Sequence, residues 1–169
     1  MLRYYQQSAH DESMSWARKN IAPAIVEAAT GAGKSHVIAA LAESFYNLSD
    51  KHVLCTAPSA ELVEQNHGKF LATGNPASIF SASLGIKSLR HPVVFGTPIT
   101  IKNAIAKFGK KFGLVVLDEC EGITPTIQHI ISNIREENDK LRVLGLTATP
   151  YRTGSGLIYA MDENDSHLQ

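Results

Sequence analysis

The sequence predicts one α/β domain, a three-layer arrangement in which a mostly parallel central sheet is covered by helices on both faces. Apolar, β-rich runs alternate with runs of helical period from residue 21 to residue 147, the order that βαβ units produce. Within the strand candidates the apolar residues are consecutive, as in Leu114-Val115-Val116-Leu117, which is what a strand buried on both faces requires. A chain of 169 residues has the size of one such domain, and its 44% apolar content suffices to fill a core.

A helix over residues 8–19 precedes the first strand. Strands are predicted at 21–27, 52–57, 77–80, 93–96, 112–117 and 141–147. Between them, Val37, Ile38, Leu41 and Phe45 recur on one helical face, and Ile127, Ile130, Ile131 and Ile134 do the same in a later segment. Thr97-Pro98 and Thr124-Pro125 each set a hydroxyl at an N-cap and a proline at the first helical position, so two helices are expected to begin there. The run Thr153-Gly154-Ser155-Gly156 and the polar residues 162–169 read as linker. The folded domain is therefore expected to occupy residues 1–159, with 160–169 a polar tail.

Composition excludes several classes. Lysine plus arginine equals aspartate plus glutamate at 16 each, so the basic footprint of a stand-alone nucleic-acid binder is missing. Cys55 and Cys120 lie far apart without ligand spacing, and they read as reduced core thiols rather than a disulfide or a zinc site. No apolar run approaches the roughly 20 residues of a membrane helix, and the amino end has no signal-peptide core. No membrane partner is expected, and the location expected is cytoplasmic.

The chemistry concentrates at strand ends. Residues 28–35 follow the phosphate-loop template G-x-x-x-x-G-K-[ST], with Ala28 in place of the first glycine and Gly33-Lys34-Ser35 intact, between a predicted strand and a predicted helix. The backbone from Thr30 through Gly31, Ala32 and Gly33 can turn successive N–H groups toward an anion, and the helix amino end adds its partial positive charge. Lys34 then reaches the β- and γ-phosphates of ATP, and the Ser35 hydroxyl ligates Mg²⁺. After the most apolar strand come Asp118-Glu119-Cys120-Glu121. Asp118 suits the Mg²⁺ shell, and Glu119 suits the water that attacks the γ-phosphate. Ser59 and Thr97 stand where helices start after strands, so each hydroxyl, with nearby free N–H groups, can hold a backbone phosphate oxygen.

The order of residues 28–35, 118–121 and Thr147-Ala148-Thr149-Pro150 resembles that of the superfamily 2 helicases and translocases of the DEAD/DEAH type, in their first RecA-like motor domain. That resemblance implies further roles. Leu2-Arg3-Tyr4-Tyr5-Gln6-Gln7 looks like the family's opening LRPYQ element, which would place Gln6 on the adenine edge with Tyr5 and Arg3 in support. Thr56-Ala57-Pro58-Ser59-Ala60-Glu61-Leu62, followed by Gln65, and Gly96-Thr97-Pro98 resemble the segments that touch nucleic acid, so Ser59, Glu61 and Thr97 become contact candidates. Thr147 and Thr149 would couple ATP state to strand grip. Residues 93–96 and 144–159 look like the bacterial RadD-type DNA-repair helicases, and the same elements recur in restriction-enzyme translocases and phage helicases. The function implied is an ATP-dependent helicase or translocase using Mg²⁺, acting on DNA in preference to RNA, in repair or recombination. The alternatives are a nucleotide-dependent binding module without motor activity, or the translocase part of a restriction system.

Two departures stand out. Glu121 replaces the family's usual His or Asp, and three neighbouring carboxylates repel one another unless Mg²⁺ or a basic group intervenes. Coupling through Glu121 to Thr147 is therefore in question. After Thr149 there is no second βαβ series and no arginine motif, so the expected partner is a second RecA-like domain in the same or another chain. Because an arginine finger contributes about 10³ to 10⁵ in rate, hydrolysis by this domain alone is expected to be slow.

Overall fold

The computed structural model describes residues 4–19, 24–27, 33–119, 123–147 and 158–160, with the backbone alone at residues 5, 26, 27 and 158–160. In chain order its elements are α1 (Tyr4–Lys19), β1 (Ala24–Glu27), α2 (Gly33–Ser49), β2 (His52–Thr56), α3 (Ala60–Leu71), β3 (Ser78–Ser81) and β4 (Ile86–Lys87). These are followed by β5 (Val93–Gly96), α4 (Pro98–Asn103), β6 (Phe112–Leu117), α5 (Pro125–Glu137), β7 (Arg142–Thr147) and β8 (Ile158–Ala160).

The described strands form one sheet in the order β4-β3-β5-β2-β6-β7-β1-β8. All pairings from β3 to β1 are parallel, and only β4 on β3 and β8 on β1 run antiparallel. The fold is thus the expected α/β architecture with a mostly parallel sheet. Parallel neighbours need a crossover on one face or the other, and here both faces are used. Val53, Cys55, Leu114, Val116, Leu144 and Leu146 meet α1, α2 and α3 in one core. Leu54, Val94, Val115, Leu117 and Val143 point the other way, into a second core with Ile101 of α4 and Ile127, Ile130, Ile131 and Ile134 of α5. Strict alternation between two cores is the reason the strands read as unbroken apolar runs.

Most predicted elements stand within a residue or two of their expected bounds, and three points differ. Helix α1 begins at Tyr4 rather than at residue 8, with Gln6 and Ala9 buried on its inner side. The short edge strands β4 and β8 had no signal, since Ile86 and Lys87 are exposed and β8 follows the glycine-serine run. Thr124 caps α5 as expected, accepting from Ile127 N at 3.2 Å. Thr97 has the extended backbone of an N-cap but no side-chain cap bond, and its hydroxyl donates to Thr100 Oγ1 at 3.0 Å.

One geometric fact positions everything that follows. The six parallel strands all end at the same rim, at Glu27, Thr56, Ser81, Gly96, Leu117 and Thr147. In doubly covered sheets that carboxyl rim is where ligands bind, since the faces are closed by helices. A cavity of about 660 Å³ opens at the opposite rim, between Met14, Arg18, Phe45, Lys51, Gly113 and Arg142.

Gly96 closes β5 where backbones crowd, for a methyl added there would stand 2.6 Å from Phe80 O and 3.0 Å from Ile101 Cδ1. Gly96→Ala is expected to destabilise the fold by about 1–3 kcal/mol through overpacking. Thr124→Ala should cost about 1 kcal/mol through loss of the cap. Urea denaturation reads both as lower midpoints at an unchanged slope.

Candidate functional site

Three elements meet at the rim where β6 ends. Helix α2 opens with Gly33, Lys34 and Ser35, all buried in its first turn. Strand β6 is buried at every position, and the residue that follows it, Asp118, is held by its own N–H to Thr56 O at 2.8 Å. That bond extends the β6 ladder against β2 by one step and delivers the Asp118 carboxylate to the rim. Helix α3 crosses beside them, capped at its amino end by Ser59, whose Oγ accepts from Leu62 N at 3.2 Å.

Lys34 Nζ lies 2.9 Å from Asp118 Oδ1 and also bonds Glu119 Oε1. The lysine and aspartate side chains are only 8% and 2% exposed, so this is a desolvated charge pair, while the glutamate side chain is 45% exposed. Burial of an ion pair is tolerated only when its remaining lone pairs are satisfied. Asp118 meets that condition: Oδ1 also accepts from Glu119 N at 2.8 Å, and Oδ2 accepts from Asn66 Nδ2 at 2.7 Å. Ser35 Oγ donates to Asn66 Oδ1 at 2.8 Å and accepts from Gln65 Nε2 at 3.3 Å. Glu119 stands at φ +56°, in the left-handed region that non-glycine residues seldom occupy. Residues held there cluster at functional sites, where surrounding contacts over-determine them.

Four of the candidate site residues, Lys34, Ser35, Asp118 and Glu119, thus stand at one rim, with Lys34 bonded to Glu119 across 85 residues of sequence. Asn66 was missed. It sits on the buried stripe Val63, Asn66, Phe70 of α3, and a lone amide on an apolar stripe must find polar partners. That mismatch was the available signal. Thr147 is buried at the end of β7, and Gln6 is buried on α1. Ser59 and Glu61 open α3 beyond β2, and Thr97 follows β5; the two strands pair with Thr56 opposite Gly96, so these three stand along the same rim. Ser59 is committed to its cap, and Thr97 to Thr100 and Ser81. Arg3, Thr30, Gly31, Ala32, Glu121 and Thr149, together with the side chain of Tyr5, lie outside the described residues, as do Ala28 and Cys120. Cys55 is a buried free thiol, as expected; burial pushes its ionisation far up and the Asp118 charge adds to that, so it is inert as a nucleophile.

The donor set fits a nucleotide with a hard divalent cation. Ser35, Asp118 and Glu119 offer only oxygen acceptors toward a cation, the kind Mg²⁺ takes. Among the described residues no group of three His, Cys, Asp or Glu could cage a metal alone. Mg²⁺ commonly needs no such cage, because one or two protein ligands and phosphate oxygens complete its shell. Two carboxylates against one ammonium leave a net negative charge, which a bare polyphosphate would meet unfavourably and a cation would offset.

Comparison with known proteins agrees with the fold. The family described as Type III restriction enzyme, res subunit, matches residues 1–152. Over 142 residues the chain is 31% identical to the ATP-dependent DNA helicase mph1 of Sclerotinia sclerotiorum, a match over 75% of this chain and 11% of that protein. The UvsW helicase from bacteriophage T4 aligns with a TM-score of 0.68 and 26% identity, over 87% of this chain and 52% of that one. The Pyrococcus furiosus Hef helicase domain is similar in fold, with a TM-score of 0.69 at 23% identity, over 89% of this chain and 33% of that one. The chain therefore spans about half or less of each protein it matches here.

The charge cluster makes a direct prediction. Lys34→Met leaves the Asp118 carboxylate buried without its cation, which should lower stability by about 3–5 kcal/mol. Adding Asp118→Asn should restore much of that loss, and urea curves for the two single variants and the double variant measure the coupling. Additive losses would show that the two groups do not act as a pair.

Proposed function

We propose that this chain, which belongs to the family of the type III restriction enzyme res subunit, forms the first motor domain of an ATP-driven DNA helicase or translocase. It is a RecA-like domain of the superfamily 2 helicase type, similar to ATP-dependent DNA helicases. The observation that carries the proposal is the Lys34 ammonium, set at the amino end of α2 and 2.9 Å from Asp118 Oδ1, with Ser35 and Glu119 around it.

In this reading each residue has one task. Lys34 exchanges its carboxylate partners for β- and γ-phosphate oxygens, aided by the backbone N–H groups of residues 30–35 and the positive end of α2. Ser35 and Asp118 hold Mg²⁺, which when bound neutralises charge that builds up on the phosphates. Glu119, released from Lys34, accepts a hydrogen bond from the attacking water and orients it. Its partial exposure leaves room for that water at the rim. Gln6, with Tyr5 and Arg3, recognises the adenine. Ser59, Glu61 and Thr97 contact the nucleic-acid backbone further along the rim, and Thr147, Thr149 and Glu121 couple the two regions.

Residues 1–159 are assigned to the ATP-binding domain, and 160–169 to a polar segment that leads toward a second RecA-like domain. That second domain supplies the arginine that closes the ATP cleft. The assignment to DNA rests on the named activity of the mph1 relative, and the role in DNA repair rests on the RadD-like residues 93–96 and 144–159. A second reading, the translocase part of a restriction system, is favoured by the description of the family itself.

In the full-length protein, Lys34→Ala is expected to abolish binding of ATP, whereas Glu119→Gln should bind ATP and fail to hydrolyse it. Titration of ATPase rate with single- and double-stranded DNA and RNA should show stimulation by DNA. Equal nucleotide affinity in wild type and Lys34→Ala would remove the site assignment, and a rate indifferent to every polymer would remove the motor. Duplex-dependent translocation without strand separation would favour the restriction reading over the helicase.

A further inference from the structure

We infer that Asn66 is a positioning residue of the metal site, fixing both the hydroxyl of Ser35 and the carboxylate of Asp118 in the orientation a divalent cation needs. The inference rests on the nucleotide-site reading above and adds to it a residue on a third element. Asn66 is 2% exposed in the middle of α3, 31 residues from Ser35 and 52 from Asp118 in sequence. A buried amide with both ends bonded to predicted metal ligands is not explained by packing alone, since Val63 and Phe70 on the same stripe pack without polar partners.

The two ends of the amide are not interchangeable. An ionised carboxylate can only accept hydrogen bonds, so the group 2.7 Å from Asp118 Oδ2 must be the NH₂ of Asn66. Its carbonyl oxygen therefore faces Ser35 Oγ at 2.8 Å, and there the only hydrogen available is that of the serine hydroxyl. The serine proton is thus drawn toward α3. A hydroxyl ligates a cation through a lone pair, and its proton must point away from the metal. Gln65 Nε2 occupies one Ser35 lone pair at 3.3 Å, and the other is left for the cation. At the same time Asp118 is held on three sides, by Asn66, by Lys34 and by the N–H of Glu119, so its rotamer is set before any cation arrives. Partners that orient first ligands in this manner commonly govern metal affinity.

Asn66→Ala removes both bonds, and Asn66→Leu removes them while keeping the volume of the side chain. The test is binding of a fluorescent ATP analogue to the full-length protein, titrated with MgCl₂ and repeated in EDTA, with thermal melting as the check on folding. Both variants should raise the Mg²⁺ concentration that half-maximally tightens nucleotide binding by about 10- to 100-fold. Affinity in EDTA should stay at the wild-type value, since Lys34 and the loop are untouched. An unchanged Mg²⁺ midpoint in folded variants, with only a lower melting temperature, would reduce Asn66 to a packing residue and overturn the inference while leaving the nucleotide site standing. Loss of affinity in EDTA as well would also overturn it, because the amide would then serve the whole loop and not the cation. If wild type binds no nucleotide under either condition, the nucleotide-site reading fails, and the inference fails with it.

Discussion

Closure of both sheet faces is the constraint from which the rest of this molecule follows. Val53 and Cys55 face one core and Leu54 the other, and Leu114, Val115, Val116 and Leu117 alternate in the same way. Apolar side chains fill most of both faces, so the charged site is built at a rim. Parallel pairing then brings six strand ends to one rim, and Asp118, the first residue beyond the most deeply buried strand, emerges there beside the first turn of α2. The hydrophobic effect thus selects the location of the polar site without contributing to its chemistry.

At that location the charges hold each other in place. Lys34 is nearly buried, and an ammonium taken out of water is costly unless it is paired. The carboxylate of Asp118 supplies that pair, and Glu119 adds a second contact from the solvent side. Asn66 and the Glu119 N–H complete the hydrogen bonding of Asp118, so no buried side-chain polar atom is left unpaired among the described residues. A set of this kind is stable only as a set, because each member satisfies another. It also stores the capacity to rearrange, since every bond to Lys34 is to an acceptor that phosphate oxygens can replace.

How much of this was legible in the sequence depends on the range of the signal. Strands β5 and β6 were read with their bounds intact because double burial writes itself as a continuous apolar run between helix-period segments. Lys34, Ser35, Asp118 and Glu119 stood out by their local spacing beside predicted strands, and the fold brings all four to one rim. Strands β4 and β8 were not, since edge pairs of two or three residues, as at Ile86 and Lys87, leave no period to detect. Thr97 shows the limit of local rules: the hydroxyl stands at an N-cap and follows the preference of its neighbours Thr100 and Ser81 instead. Asn66 was hidden for the converse reason, since its partners lie on two other elements and only its misfit on an apolar stripe could have betrayed it.

Replacing such a buried ionic and amide cluster with well-packed apolar residues is often neutral or stabilising in proteins at large. Nothing in the fold itself requires Lys34, Asp118 and Asn66 to be polar, for two cores already surround the sheet and hold its strands. Their presence together at one rim, with a left-handed Glu119 beside them, is therefore better explained by a ligand than by stability. That ligand must tolerate a lysine it shares with two carboxylates and must bring positive charge of its own, and a nucleotide carrying a divalent cation meets both conditions.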